Sequence, residues 1–96
     1  MVEVNEYFQG KVKSLVVNSS DGKKTVGVIS PGEYEFNTKM KETMTVLSGT
    51  LSVFLAEYNE WEEFGEGASF DVPADSKFQV KAGEDVAYIC EYEYKN

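Results

Sequence analysis

No long segment of the chain sustains the period of an amphipathic helix. Short β-branched and aromatic runs instead recur about every eight to twelve residues, each closed by turn chemistry. This rhythm restricts the chain to an all-β domain. GKVKSLVV (10–17) and TVGVIS (25–30) flank Asp21-Gly22, a strong hairpin signal. Pro31-Gly32-Glu33 turns the chain into YEFNT (34–38). ETMTVLS (42–48) and TLSVFLA (50–56) meet at Gly49, which fits a tight hairpin needing a positive φ. NEW and GEG bracket a short strand at 61–64, SFDV (69–72) stops at Pro73, KFQV (77–80) stops at KAGED, and VAYICEYEY (86–94) closes the set. About nine strands with no linker or repeat predict one sandwich or small barrel over residues 1–96. In the last strand Tyr88, Cys90, Tyr92 and Tyr94 alternate with Ile89, Glu91, Glu93 and Lys95, so one face is aromatic.

The charge balance narrows the partners. Seventeen acidic residues against nine lysines give a net charge of −8, which repels a nucleic-acid backbone or an anionic membrane over most of the surface. A small anion such as phosphate remains compatible, because a few backbone N–H groups or one lysine can create a local positive site. Cys90 has no partner for an internal disulfide, and the longest apolar run, VAYIC (86–90), is far too short to cross a bilayer. Together with a start, MVEVNEYFQG, that has no apolar leader-like run, these features lead us to expect a cytoplasmic protein.

Glu42-x₆-Gly49, with Val46-Leu47 before the glycine, resembles the first signature of the cupin superfamily, and Gly67-x₅-Pro73 in GASFDVP resembles the second. The resemblance implies a cupin-type jelly-roll, a double-sheet β-barrel in a single domain. Metal-binding cupins carry histidines around these signatures. The nearest positions here are Thr38, Met40 and Phe78, and the chain contains no histidine. A lone carboxylate does not hold zinc or iron, so no transition metal and no cofactor are expected. The position after the proline where the pattern has glycine is Asp75.

A closer resemblance spans roughly residues 5–92. NEYFQGKVKSL, TVGVISPGEYEFNT, KETMTVLSGTLSVFL, GASFDVPADSKFQV and AYICEY together are similar to the small bacterial pyrimidine/purine nucleoside phosphorylases, a metal-free cupin family. The resemblance implies phosphate-dependent cleavage of many nucleosides to free base and pentose 1-phosphate. Nucleosides and inorganic phosphate would be the partners, phosphate being the co-substrate. Small cupins commonly pair through edge strands, so a homodimer is expected. The rival readings are a non-catalytic cupin module that binds a small sugar or nucleoside, and a metal-independent sugar isomerase or lyase.

Strand alternation puts Thr38, Met40, Glu42, Met44, Val46 and Ser48 on one face, which points into the barrel in the cupin pattern. Apolar neighbours around Glu42 should desolvate its carboxylate and raise its pKa. It then serves as a general acid or as an acceptor for ribose hydroxyls; the bland alternative is a structural carboxylate paired with a lysine. Thr38 and Ser48 could donate to phosphate or sugar, or act only as strand spacers. Lys11 and Lys13, one strand period apart, could supply charge to phosphate or form a solvated edge that blocks strand pairing. SSDGKK (19–24) reads as a hairpin tip before it reads as an anion loop. Phe78 and Tyr88 could stack on a base or simply build the core. Cys90 reads as a small buried hydrophobe.

Overall fold

In the computed structural model, which describes residues 1–93, alternation of apolar and polar side chains resolves into ten strands arranged as two antiparallel sheets. They are β1 (Val4–Tyr7), β2 (Val12–Ser19), β3 (Gly22–Ile29), β4 (Gly32–Asn37), β5 (Lys41–Ser48), β6 (Leu51–Leu55), β7 (Glu60–Phe64), β8 (Ser69–Val72), β9 (Lys77–Ala82) and β10 (Val86–Glu93), with a 3-10 turn at Phe8–Gly10. A six-stranded sheet runs β1-β2-β3-β10-β5-β8 and a four-stranded sheet runs β4-β9-β6-β7. The chain changes sheet at nearly every connection after β3, which is the jelly-roll winding the sequence led us to expect. Tyr94 and Lys95 of the predicted last-strand alternation lie outside the described residues. Among the described residues no helix is long and apolar enough to cross a membrane.

Each inward residue in the six-stranded sheet belongs to a cross-strand row. Val12, Ile29 and Val86 form one row, and all three are completely buried. In the other sheet Leu51 and Ala82 form a row of their own, both buried. Together with Val46, Val53, Val72 and Val80 they build a core of mainly branched aliphatics. Each such side chain contributes on the order of 1.5–3 kcal/mol by leaving water. Further along the same strands the inward rows change chemistry. Ser14, Gly27 and Tyr88 form the next row, then Val16, Thr25, Cys90, Met44 and Phe70, then Tyr92, Glu42 and Val72. Aliphatic filling therefore ends part-way along the barrel.

Four local features correct the sequence expectations. Gly49 (φ +87°) does not close a hairpin: β5 and β6 lie in different sheets, and the turn carries the chain from one to the other. A Cβ there would stand 2.9 Å from the Asp85 carbonyl oxygen. Residues 38–40 form the link between β4 and β5, so Met40 is exposed on a bend instead of sharing the inward face. Ser48 is also exposed. Ala87 pairs with Ser48 while Tyr88 pairs with Val46, so Leu47 is an extra residue in β5, and this bulge breaks the alternation that would have turned Ser48 inward. The strand β1, which sequence reading did not assign, adds to the sheet through Val4 opposite Leu15 and Tyr7 opposite Val12.

Thr38 has a structural duty. Its hydroxyl donates to the Pro73 carbonyl at 2.6 Å and accepts from the Ser76 N–H at 3.0 Å, while its own N–H donates to the Ser76 carbonyl at 2.8 Å. These bonds clip the β8–β9 connection to the β4–β5 link, and Asp75 in that connection adopts φ +53°, the left-handed region for which the cupin pattern supplies glycine. Thr38→Val takes the acceptor from the Ser76 N–H and leaves the Pro73 carbonyl with the Ser76 hydroxyl as its remaining donor, and we expect its Tm by circular dichroism to fall by roughly 5–15 °C. An unchanged Tm would show that the clip contributes nothing.

Candidate active site

Where the aliphatic rows stop, a cavity of about 400 Å³ opens between the sheets. That is within the usual size range of small-molecule sites, roughly 300–1,000 Å³. One wall belongs to the six-stranded sheet and is chemically polar: Ser14 from β2, Thr25 from β3, Glu42 from β5, and Tyr88, Cys90 and Tyr92 from β10. The other wall carries the rings of Phe36 from β4 and Phe78 from β9 at a separation of 5.5 Å, with Glu35 and Asn37 on either side of Phe36 also lining the cavity. Tyr7 and Phe8 stand at the rim, both more than 40% exposed, whereas Met44, Phe78, Tyr88 and Cys90 are buried. The cavity therefore runs from a wet mouth to a dry floor.

Gly27 makes room for one of the buried polar groups. An ideal Cβ at this position would fall 2.6 Å from the Tyr88 hydroxyl and 2.7 Å from the Lys13 carbonyl oxygen. Contacts this short do not occur in real structures, so the Tyr88 phenol lies where any other residue would put its side chain. There it receives hydrogen-bond support from Ser14, one strand further on. Burial, reinforced by Cys90, Tyr7 and Glu42 nearby, pushes the Tyr88 phenol well above the ordinary tyrosine range. Tyr92 is raised mainly by burial too, and its hydroxyl bonds Thr25 Oγ1 at 3.0 Å. Both phenols stay protonated at neutral pH and remain donors.

Glu42 is half-buried, and desolvation raises its carboxyl above the ordinary value of 4.5. The Cys90 thiol donates to its Oε1 at 3.2 Å, which offsets part of that rise because the bond favours the charged form. In return, burial and the Glu42 charge push the Cys90 thiol up, so it is a donor here and no nucleophile. A carboxylate acceptor, several neutral O–H donors and an aromatic wall thus face one space. No lysine among the described residues lines it. Among them, too, no group of three or more Cys, Asp or Glu side chains is placed to hold a metal ion.

Of the residues singled out by sequence, the cavity brings together Glu42, Phe78 and Tyr88. Thr38 is taken up by the Pro73–Ser76 clip and Ser48 faces solvent, and neither lines the cavity. Lys13 is exposed on the outer face of β2 and pairs with Glu6 at 3.4 Å. Lys11 precedes β2 and is exposed, its carbonyl accepting from the Ser30 N–H and hydroxyl. The SSDGKK stretch is a hairpin tip in which Lys24 pairs with Asp21 at 3.2 Å. Sequence reading missed Ser14, Thr25, Phe36, Tyr92 and the rim pair Tyr7 and Phe8 as lining residues, along with the bond from Cys90 to Glu42. The face shared by Tyr88, Cys90 and Tyr92 was the available signal for the last of these.

The pyrimidine/purine nucleoside phosphorylase family model matches residues 2–92. Over 92 residues the chain is 54% identical to a pyrimidine/purine nucleoside phosphorylase of Pseudomonas entomophila, covering 96% of this chain and 98% of that one. It is 53% identical to the protein of the same name from Pseudomonas syringae pv. syringae, covering 96% and 99%. A Vibrio parahaemolyticus protein of unknown function superposes with a TM-score of 0.92 at 41% identity, covering 97% of this chain and 99% of that chain. An RmlC-like cupin from Shewanella frigidimarina superposes at 0.71 with 16% identity, covering 93% and 80%, and shares the fold alone. By sequence over nearly its whole length, and with a cupin barrel as its fold, this chain belongs to the pyrimidine/purine nucleoside phosphorylase family.

Proposed function

We propose that the Glu42 cavity is where this nucleoside phosphorylase transfers a pentosyl group from purine and pyrimidine nucleosides to inorganic phosphate. The observation that carries this reading is a partly desolvated carboxylate set among neutral hydroxyl donors on one wall and facing aromatic rings on the other. In the reaction the C1′–N bond breaks, its electron pair leaves with the base, which takes up a proton, and a phosphate oxygen forms the new bond to C1′. Phosphate is already anionic, so the protein needs no activated side chain. It must hold phosphate in line with C1′ and stabilise an oxocarbenium-like transition state.

The protonated phenols of Tyr88 and Tyr92, with Ser14 and Thr25, supply O–H donors to phosphate oxygens. Glu42 in its ionised form accepts from the ribose hydroxyls, bonds that strengthen as positive charge grows at C1′. Phe36 and Phe78 offer π-surface to the base, and stacking tolerates every base. Broad base tolerance follows because the directional contacts fall on sugar and phosphate, which all nucleosides share.

The test is to incubate EDTA-treated protein with adenosine, inosine, uridine and cytidine, with and without phosphate, and to follow free base and pentose 1-phosphate by chromatography. Phosphate-dependent release that survives EDTA is the expected result and would fit a reaction without cofactor. No release from any nucleoside would leave the cavity as a binding module and sink the assignment.

Two further parts of the reading concern the molecule's setting. The lone buried thiol and the substrates suit the cytoplasm. A homodimer would bury the outer face of the six-stranded sheet, where Val4, Leu15, Val26 and Ile89 form one row beside exposed Val28 and Leu47. The ion pairs Lys13–Glu6 and Lys24–Glu91 keep charge balanced beside that row in an otherwise acidic chain. Leu15→Lys should therefore halve the mass seen by light scattering with little change in fold. Wild type and variant of equal mass would remove this face from consideration.

A further inference from the structure

We propose that Phe8 is the nucleobase platform of the cavity, and that the backbone around it is held in an unfavourable conformation because this places the ring over the mouth. This deepens the phosphorolysis reading and rests on it. Phe8 and Gln9 have φ values of +52° and +59°, and Gly10 follows at +86°. Two successive non-glycine residues in the left-handed region, the first of them bulky and aromatic, are a genuine outlier. Glycine or asparagine would make the same turn without strain.

Burial of the Phe8 ring does not explain the choice. None of the residues in the Phe8–Gly10 turn is buried, and Phe8 is 42% exposed. The ring instead lines the cavity and packs on two others, with its centroid 5.0 Å from Tyr34 and 5.6 Å from Phe36, edge-on to the latter. Phe36 in turn packs on Phe78. A continuous aromatic run therefore leads from the rim at Phe8 to the floor at Phe78, facing the polar wall that holds Glu42. Strained backbone that presents an exposed ring to a cavity has the character of a ligand contact.

A nucleoside bound with its sugar against Glu42 would extend its base along this run toward the mouth. Phe8 then supplies a face that accepts one ring or two without reading base edges, which permits purines and pyrimidines alike. The ring should matter more for a purine, which has the larger π-surface, and not at all for a substrate without a base.

The variants to compare are Phe8→Ala and Phe8→Trp, each checked for an unchanged Tm. In phosphorolysis, Phe8→Ala should raise KM roughly ten-fold for adenosine and less for uridine, while Phe8→Trp stays near the wild type. In the reverse direction Phe8→Ala should raise KM for free adenine and leave KM for ribose 1-phosphate unchanged. Equal rises for adenine and ribose 1-phosphate would overturn the proposal and assign Phe8 to holding the cavity's shape. Should the wild type show no turnover, the phosphorolysis reading fails by itself, and adenine binding followed by NMR line broadening still decides this one. Binding lost in Phe8→Ala and kept in Phe8→Trp supports the platform, whereas equal binding in all three proteins refutes it.

Discussion

Glu42→Gln should lower kcat/KM for phosphorolysis by roughly 10²-fold and, at neutral pH, raise Tm. The two effects have one cause. A carboxylate that accepts from ribose hydroxyls gains most in the transition state, when positive charge develops on the sugar. A carboxamide of the same shape keeps the geometry and loses the charge. Glu42 is raised above 4.5 chiefly by burial, so its folded-state value exceeds the unfolded one. Such a group adds stability below the unfolded value, and that stability is lost as pH rises through the folded one. At pH 7 the wild type therefore carries a partly desolvated charge that glutamine does not. The gain in Tm should disappear below about pH 4, where both side chains are neutral. The acid limb of the wild-type kcat/KM profile should lie above the ordinary carboxylate value and be absent from the variant. A variant with full activity, or one whose activity and Tm fall together at pH 7, would show that Glu42 is a structural carboxylate.

Phe78→Ala should cost about 3–5 kcal/mol in urea unfolding, a large share of the roughly 5–15 kcal/mol available to a domain of this size. Phe78 is 3% exposed and its ring sits 5.5 Å from Phe36 and 6.3 Å from Phe70, so truncation enlarges an existing hollow and leaves both neighbours unsupported. Phe78→Leu fills much of that volume and separates the two duties of the ring. It should retain most of the stability and still raise KM for nucleosides if the base reaches the cavity floor. A loss below about 1 kcal/mol in Phe78→Ala would mean that the wall collapses to fill the gap, contrary to the close packing expected of this region.

Much of this architecture was legible because alternation is a local property. β2, with Val12, Ser14 and Val16 inward against Lys13, Leu15 and Val17, declares its faces without knowledge of its neighbours. Gly49 was legible as a turn, but its destination was not, since the local chain conformation does not say which sheet receives the next strand. Ser48 was misplaced for a related reason: a bulge at Leu47 is visible only against the partner strand, where Ala87 and Tyr88 fix the register. The site shows the same division. Glu42 was found from the cupin resemblance and from its face of one strand, Phe78 from its place in the cupin pattern and its aromatic chemistry, and Tyr88 from its aromatic chemistry. Ser14, Thr25 and Cys90 gained meaning only through cross-strand rows that set them beside Tyr88, Tyr92 and Glu42. Lys11 and Lys13 drew attention by charge alone, and the outer face of a strand is where charge usually belongs.

The hollow itself traces back to an omission on β3. A barrel of ten short strands is narrow enough to fill with its own side chains, and Val12, Ile29 and Val86 do fill one end of it. One row further along, β3 contributes only a hydrogen atom at Gly27, and a phenol from β10 lies down across the gap. Had the residue there been alanine, that phenol would have had to stand up into the lumen, occupying the volume now open to a ligand. Gly27 thus sets the depth of the chamber, and a substitution at this backbone position, which contributes no side chain of its own, would register as a change in how much the protein can hold.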